Sequence, residues 1–228
     1  MHRIFILSIF ILYQCKEKVK ELPQNNLKTD STTEQNISTP KVVNENSDLQ
    51  DRTIWQRPYE IIDLLGPLDN KVIADIGAGS GYFSFKFVLT AKKVIAIDIE
   101  RELINLMNEE KDYYKPEIKS KFETRLARSN DPKLKKGEVD VIFLSNTYSY
   151  LNHRVKYLKN LQDKLKPGGK IMIVDFKKKI TPIGPELKTR LAQGDVETEL
   201  IDAGYHIVLS DDNKLKYQYI IIANIKTK

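Results

Sequence analysis

The chain of 228 residues is predicted to adopt an α/β fold, a three-layer sandwich in which helices cover both faces of a mostly parallel, seven-stranded sheet. From residue 51 onward, short runs rich in Val and Ile alternate with segments of helical spacing. The runs are apolar at nearly every position, as is typical of parallel strands buried on both faces. A short polar turn joins the last two runs, which predicts an antiparallel hairpin at the C-terminal end of the sheet.

The predicted elements follow one another in a regular alternation of helices and strands. A first helix is predicted over residues 53–65, behind a Thr and Asp start. Strands are predicted at residues 72–76, 93–98, 122–126, 139–145, 170–176, 205–210 and 215–225. Further helices are predicted from Phe83 to Leu89, over residues 101–112 and 153–165 and over about residues 194–203, with a loop at residues 177–192. The alternation predicts one domain over residues 51–228.

An apolar segment with the shape of a secretory signal opens the chain. Residues 1–15 start with a short positive stretch, continue with an apolar run from Ile4 to Leu12 and end at Cys15. Such a run is too short to span a bilayer as a helix. The tetrapeptide Leu12-Tyr13-Gln14-Cys15 resembles the box that ends bacterial lipoprotein signals, with Gln14 where a small residue is expected. The alternatives are another type of secretory signal and a frayed segment with a chance cysteine.

Residues 16–50 are rich in Lys, Glu, Asn, Gln, Ser and Thr and have few large apolar side chains. Such a segment cannot bury enough apolar surface to offset the entropy lost on ordering, so a disordered linker is predicted. A flexible linker behind a lipid anchor is a coherent arrangement. The sequence therefore predicts attachment to the membrane of a bacterial cell envelope through lipidated Cys15, with a cytoplasmic protein as the alternative.

Charge and metal-ligand content argue against several classes of function. The net charge is +6, and residues 1–50 contain six basic and six acidic residues, so the excess lies in residues 51–228. No dense basic stripe with interleaved aromatic residues occurs, which argues against nucleic acid as a partner. One cysteine and three scattered histidines predict neither a disulfide framework nor a metal site.

A glycine-rich loop follows the first predicted strand and opens a helix, with the spacing Gly77-x-Gly79-x-Gly81. Glycines let the backbone turn sharply and approach a ligand, and a helix start presents free N–H groups. A dinucleotide fingerprint would place glycine or alanine at the position of Tyr82. The carboxylate of Asp98 ends the second strand, where it can accept ribose hydroxyls. A tight turn without a ligand is the alternative.

These motifs together resemble class I S-adenosylmethionine-dependent methyltransferases, which have a Rossmann-like fold. The resemblance rests on the loop motif at residues 72–83, Ala96-Ile97-Asp98, Asp140-Val141-Ile142-Phe143, Leu165-Lys166-Pro167-Gly168-Gly169-Lys170 and the closing hairpin. It implies that S-adenosylmethionine is the cofactor. The implied cofactor-binding residues are Asp75, Gly77, Ala78, Gly79, Gly81, Asp98, Ile99, Asn130, Asp131, Ser145 and Asn146. Residues 55–58 also resemble the helix that closes over the cofactor in some branches.

The resemblance implies methyl transfer to a small-molecule or other non-nucleic acceptor, with the acceptor site shaped by residues 180–185 and by the segment after the fourth strand. If the acceptor carries an ionisable hydrogen, a base is also needed. Tyr148 and His153 are the candidates, with a pocket wall and a helix cap as their respective alternatives. Ser149-Tyr150 stands where related enzymes carry a His pair. The alternative function is a non-catalytic module of the same fold that binds S-adenosylmethionine or a nucleoside and is tethered to the cell envelope. An NAD-linked oxidoreductase is the third hypothesis.

Overall fold

The computed structural model describes residues 51–225. The predicted signal at residues 1–15, the lipidation site Cys15 and the linker at residues 16–50 lie outside the described residues. Within residues 51–225, no helix has the length and apolar character needed to span a bilayer.

The helices and strands occur in the predicted alternating order. The strands are β1 (Val72–Ile76), β2 (Lys93–Asp98), β3 (Phe122–Leu126), β4 (Val139–Ser145), β5 (Leu165–Phe176), β6 (Tyr205–Asp211) and β7 (Gln218–Ile225). The α-helices are α1 (Arg52–Gln56), α2 (Pro58–Asp63), α3 (Ser84–Phe87), α4 (Arg101–Lys111), α5 (Pro116–Lys119), α6 (Arg154–Gln162) and α7 (Gln193–Asp202). Short 3₁₀ turns lie at Tyr148–Tyr150 and Leu187–Thr189.

The seven strands form one sheet in the order β3-β2-β1-β4-β5-β7-β6. The first five strands run parallel to one another, and β7 pairs antiparallel with both β5 and β6. This topology confirms the predicted fold class, including the closing antiparallel hairpin. All five residues of β1 are buried, because helices cover both faces of the central strands.

The core consists of two apolar layers, one on each face of the sheet. One layer packs Leu158 of α6 and Leu200 of α7 against the strands. The other layer packs residues of α2, α3 and α4, among them Ile61, Phe87 and Met107. The sheet between these layers completes the predicted three-layer sandwich.

The structure corrects one predicted element and several boundaries. The single helix predicted over residues 53–65 is two short helices, because Arg57 adopts the left-handed conformation (φ 51°) and Pro58 starts the second helix. The predicted Phe83–Leu89 helix has only the single regular turn α3. Strand β7 begins at Gln218 rather than at residue 215, and β5 extends back to Leu165.

Candidate functional site

Two adjoining cavities open at the carboxyl ends of β1, β2 and β4. The apolar cavity lies beside β2, and its lining includes Ile97, Asp98, Ile99, Ala127, Arg128, Ser129, Leu151 and Tyr157. The polar cavity lies between α1 and the loop after β1, and its lining includes Arg52, Asp75, Ala78, Gly79, Ser80, Tyr82, Ser145 and Asn146. Gly77 and Thr147 line both cavities, so one elongated ligand can occupy the two together. This edge is where open α/β sheets bind their ligands.

The glycine loop is held at the end of β2. The backbone N–H groups of Gly77 and Ala78 donate to the carbonyl of Ile97 at 2.8 and 3.0 Å. Gly77 has a φ of 73°, and a Cβ atom there would lie 2.3 Å from Oγ1 of Thr147. Only glycine fits this approach. Thr147 belongs to the segment after the fourth strand that the resemblance assigns to the acceptor side, but it is not among the predicted cofactor-binding residues.

Gly81 has a packing role rather than a place in a cavity. A Cβ atom at Gly81 would lie 2.7 Å from the ring of Phe85 and 3.2 Å from the side chain of Met107. Gly81 is buried and lines neither cavity. The glycine therefore lets the turn after the loop pack against α4.

Asp75 is a buried carboxylate in the wall of the polar cavity. The hydroxyl of Ser84 donates to its Oδ2 at 2.6 Å. Burial raises the pKa of Asp75 to about 6, and the bond from Ser84 and the charge of Arg52 offset only part of that rise. The cavity therefore carries a carboxylate that gains stabilisation from any cation placed beside it.

Arg52 is a site residue that sequence reasoning missed. It is the first residue of α1 and lines the polar cavity, with its guanidinium 4.1 Å from the centre of the Tyr82 ring. Its Nε donates to Oε1 of Gln56. Within residues 51–225, no carboxylate lies within 4 Å of the guanidinium. A basic residue in the first turn of a helix opposes the helix dipole, and that sequence signal could have marked Arg52.

Asp98 ties the glycine loop to the end of β2. Its Oδ2 accepts a hydrogen bond from the N–H of Gly79 at 2.9 Å, and its Oδ1 accepts from the N–H groups of Ile99 and Glu100 at 2.8 and 3.1 Å. A carboxylate has about four acceptor positions, so Asp98 keeps capacity for one further donor. Its side chain lines the apolar cavity together with that of Ile99.

Asn130 and Asp131 are not brought to either cavity. Both are exposed in the loop after β3, and Oδ1 of Asp131 accepts the N–H of Lys133 at 2.7 Å. The nearby residues that do line the apolar cavity are Arg128 and Ser129. The sequence alone could not determine which residues of the loop after β3 line the cavity, because the segment has no periodic pattern.

The end of β4 carries two of the predicted residues, each held by a glutamine. Oγ of Ser145 accepts a hydrogen bond from Nε2 of Gln56 at 3.1 Å. Asn146 has a φ of 56°, and its Oδ1 accepts from Nε2 of Gln218 at 2.5 Å. Gln56 and Gln218 are fully buried, and within residues 51–225 Oε1 of Gln218 has no hydrogen-bond partner. These contacts fix the wall of the polar cavity opposite the glycine loop.

The two candidate bases lie away from the polar cavity. Tyr148 is fully buried, and its hydroxyl donates to Oε2 of Glu199 at 2.6 Å. Glu199 is also bound by the guanidinium of Arg154. Burial and the bond to Glu199 raise the pKa of Tyr148, so the phenol stays protonated. His153 is exposed and precedes α6 in the left-handed conformation. Neither the hydrogen bond of Tyr148 to Glu199 nor the exposed position of His153 favours an acid–base role.

Metal chemistry has no support from the described part of the chain. Within residues 51–225, no three His, Cys, Asp or Glu side chains come together in a group that could hold a metal ion. The polar cavity instead combines one carboxylate and one guanidinium, which together complement a ligand bearing both an ammonium and a carboxylate group.

Comparison with known proteins identifies related sequences. Residues 67–221 match the family described as "Methyltransferase domain". A tRNA U34 carboxymethyltransferase from Ruthia magnifica subsp. Calyptogena magnifica is 28% identical over 176 residues, which cover 73% of this chain. The match spans only 54% of that relative's own length.

Solved structures share the fold. A SAM-dependent methyltransferase from Aquifex aeolicus superposes with a TM-score of 0.71, at 24% identity, over 78% of this chain and 94% of its own. The glycopeptide N-methyltransferase MtfA, solved in complex with (S)-adenosyl-L-methionine, gives a TM-score of 0.62 at 13% identity, over 75% of this chain and 87% of its own.

Proposed function

This chain belongs to the methyltransferase domain family, in its S-adenosylmethionine-dependent class, and on that premise we propose how it binds the cofactor and transfers the methyl group. The single observation that carries the proposal is the pair of opposite charges in the polar cavity. Asp75 and Arg52 line that cavity together. They suit the ammonium and carboxylate of the amino-acid part of S-adenosylmethionine, whereas NAD has no such pair.

The apolar cavity suits the adenosine part of the same molecule. The acceptor capacity left on Asp98 serves a ribose hydroxyl, as the sequence predicts. Ile97 and Ile99 supply apolar surface for the base, and Ser129 and Asn152 are polar residues in the same lining that can contact its edge in place of Asn130 and Asp131. Gly77 and Thr147, shared by both cavities, then face the middle of the ligand.

When bound, the cofactor supplies a methyl group that its sulfonium already makes electrophilic. What remains for the protein is to align an acceptor with that group and to exclude water. Ser145 and Asn146, held by Gln56 and Gln218, form the wall from which an acceptor approaches. We assign no catalytic base, because Tyr148 is occupied by Glu199.

The identity of the acceptor is a separate part of the proposal. The solved relatives include a glycopeptide N-methyltransferase, in line with the small-molecule acceptor expected from the sequence. The relative from Ruthia magnifica is a carboxymethyltransferase of tRNA, so RNA enters as a second candidate. A module that binds the cofactor without turnover is the alternative, and attachment through Cys15 stays a prediction.

Calorimetry on the full chain tests the proposal with S-adenosylmethionine, S-adenosylhomocysteine and NAD as ligands. We expect the first two to bind and NAD not to bind, since only the first two carry an amino-acid group. Asp98→Ala should weaken S-adenosylhomocysteine binding by about 1–3 kcal/mol, the value of charge-assisted bonds to a hydroxyl. Binding of NAD alone would overturn the proposal, and unchanged affinity in Asp98→Ala would overturn the role of that residue.

A further inference from the structure

Five cations from three separate segments lie beside the carboxyl end of β5, the strand next to β4 in the sheet. We define this cationic rim as Arg57, Lys177, Lys179, Lys214 and Lys216. Nη1 of Arg57 donates to the carbonyl of Lys214 at 3.1 Å. Nζ of Lys177 donates to the carbonyls of Leu215 and Lys216 at 2.8 and 3.3 Å. These contacts place the junction of α1 and α2, the segment after β5 and the β6–β7 connection side by side.

Each segment of the rim also reaches the polar cavity. Arg57 follows Gln56, which binds Ser145 in the cavity wall. The β6–β7 connection ends at Gln218, which binds Asn146 in the same wall. The rim is therefore anchored to the two side chains past which an acceptor must approach.

The third segment joins the site through aromatic rings. Lys177 follows Phe176, whose ring centre lies 5.6 Å from that of Trp55 in α1. Gly184 packs against the Phe176 ring, where an added Cβ would lie 2.5 Å from a ring atom. Lys179 lies between these contacts along the loop, and Ile180 beside it is 91% exposed. The loop thus places lysines and apolar surface at the edge of the acceptor site.

Acidic neighbours neutralise only part of the rim. Glu60 pairs with Arg57 at 2.5 Å. Oδ1 of Asp211 accepts two backbone N–H groups of the β6–β7 connection at 2.9 and 2.6 Å, and Asp212 is exposed beside it. Burial and the neighbouring Lys179 lower the pKa of Lys177, although Asp212 and Asp211 act in the opposite direction. Five cations therefore face three acids, and like charges are held close together.

Arg190 adds a further positive charge behind the rim. Its guanidinium is 5% exposed and donates to the carbonyls of Lys179 and Pro185 at 2.8 Å each. Within residues 51–225 no carboxylate lies within 4 Å of this guanidinium, although the charge of Arg190 acts from farther away to lower the pKa of the buried Asp175, which burial raises. The loop that carries Lys177 and Lys179 is thus built around a buried cation, which makes the acceptor side more attractive to an anion.

From this arrangement we propose that the methyl acceptor carries phosphate, as a phosphorylated small molecule or as an RNA strand, and that the cationic rim binds that phosphate. The inference rests on the proposed function. Phosphate oxygens accept charge-assisted hydrogen bonds from Lys and Arg, and several dispersed cations match a ligand with several negative charges. Tyr59, 61% exposed and two residues after Arg57, offers a ring face beside the rim.

A matched pair of triple variants distinguishes binding of phosphate by the cationic rim from general electrostatic attraction to a positively charged protein. The rim variant is K179Q/K214Q/K216Q. The control variant is K92Q/K121Q/K136Q, which removes the same charge just before β2, β3 and β4, at the amino ends of the strands. Both variants keep the cofactor residues, so we expect their affinities for S-adenosylhomocysteine to equal that of the wild-type chain.

The full chain is incubated with methyl-labelled S-adenosylmethionine and a cell extract, and labelled products are passed over an anion-exchange resin. We expect the product to be retained. Loss of retention after phosphatase identifies a phosphorylated small molecule, and a shift of the label to mononucleotides that elute at lower salt after ribonuclease identifies RNA. Retention that neither enzyme changes would overturn the inference. The rim variant should transfer about tenfold less label at limiting acceptor, and the control should match the wild type. A labelled product that is not retained, or equal losses in the two variants, would overturn the inference.

Binding of bulk tRNA and of inorganic phosphate provides a readout that does not need turnover. Loss of three phosphate contacts should make the slope of log affinity against log salt for tRNA shallower by about 2–3 in the rim variant. If phosphate and tRNA bind equally well to the rim and control variants, the rim is not a phosphate site. Failure of S-adenosylhomocysteine to bind any of the three proteins would instead overturn the proposed function.

Discussion

Two aspartates at opposite ends of the central parallel strands, Asp140 and Asp75, differ in how many hydrogen-bond partners they have within the protein. At the amino end, Oδ2 of Asp140 in β4 accepts the N–H of Val72 at 2.8 Å and an N–H of Lys166 at 2.7 Å. Burial alone would raise the pKa of Asp140, but these partners hold it below its usual range. At the carboxyl end, Asp75 has only the hydroxyl of Ser84 close by, and its pKa rises to about 6.

Two arginines differ in the same way, and the difference does not follow the ends of the strands, because Arg125 lies near the carboxyl end of β3. Arg125, from β3, binds both carboxylate oxygens of Glu138 at 2.9 Å, just before β4 begins. Arg52, at the carboxyl end, has no carboxylate within 4 Å in the part of the chain that the structure describes. Asp140 and Arg125 therefore have their charges satisfied within the protein and add to its stability. Asp75 and Arg52, which line the polar cavity, leave their charges for a ligand, at a cost in stability.

The largest effect is expected from glycine replacements at the two ends. Gly77→Ala should lower the free energy of unfolding by on the order of 3 kcal/mol, because its Cβ would overlap Thr147 in addition to the left-handed strain. Gly137→Ala has the same left-handed strain with nothing within 4 Å of the added Cβ, so about 1 kcal/mol is expected. Denaturant unfolding measures both. Equal losses would contradict the close approach at Gly77.

The next largest effect on stability is expected from removal of the ion pair between Arg125 and Glu138. Glu138→Gln should lower the free energy of unfolding at pH 7 by about 2 kcal/mol, since it leaves Arg125 half-paired. Hydrogen bonds from Arg125 lower the pKa of Glu138 to about 2. The contribution of Glu138 is therefore complete above the ordinary pKa of a glutamate and is lost as the pH falls towards 2. Cofactor affinity should not change, and a weaker affinity would link the two ends of the sheet.

Asp75→Asn should act in the opposite direction on stability. Because the pKa of Asp75 is raised to about 6, the folded state binds its proton more tightly than the unfolded state does. As the pH rises from about 4 to 6, the wild type should therefore lose stability relative to the variant, because the other carboxylates titrate alike in both proteins. At pH 8, without cofactor, we expect the variant to be more stable by about 1–2 kcal/mol and to bind S-adenosylhomocysteine more weakly. Thermal unfolding at pH 4 and pH 8 provides the measurement, and a loss of stability at pH 8 would refute the expectation.

The smallest effect is expected at Tyr148, whose hydroxyl already has a hydrogen-bond partner within the protein. Tyr148→Phe removes one hydrogen bond to Glu199 and should cost about 1 kcal/mol of stability. Cofactor affinity and label transfer to a cell extract should stay within about twofold of the wild type, since the phenol is not available as a base. A loss of label transfer with intact cofactor binding would restore Tyr148 as a candidate base.

The order of the elements could be predicted because hydrophobic patterning determines it. β1, β2, β3 and β4 have the predicted bounds. The Val- and Ile-rich runs of β1, β2 and β4 each end at a glycine or a polar residue, namely Gly77, Asp98 and Ser145. The break at Arg57 was missed although Pro58 marks it, because Pro58 also fits inside an amphipathic pattern. Helix ends are weakly specified by local sequence, which explains the short α3.

The site could be predicted only where a motif fixes backbone geometry. Asp75 in β1, Gly77 just after it and Asp98 at the end of β2 were marked by their spacing along the chain. Gln218 reaches the site from a distant part of the chain, through a tertiary contact with Asn146 that no local pattern encodes. The placement of Asn130 depended on a loop without periodicity, and the structure leaves it outside both cavities.

The central claim is that Arg52 is left unpaired in order to bind the carboxylate of the cofactor. Calorimetry of two ligands with two proteins tests it directly: S-adenosylhomocysteine and its decarboxylated analogue, each with the wild-type chain and with Arg52→Gln. The wild type should bind S-adenosylhomocysteine roughly 10–100-fold more tightly than the analogue, and Arg52→Gln should bind the two almost equally. If the preference for the carboxylate is unchanged in Arg52→Gln, the charge pair in the polar cavity does not recognise the amino-acid group.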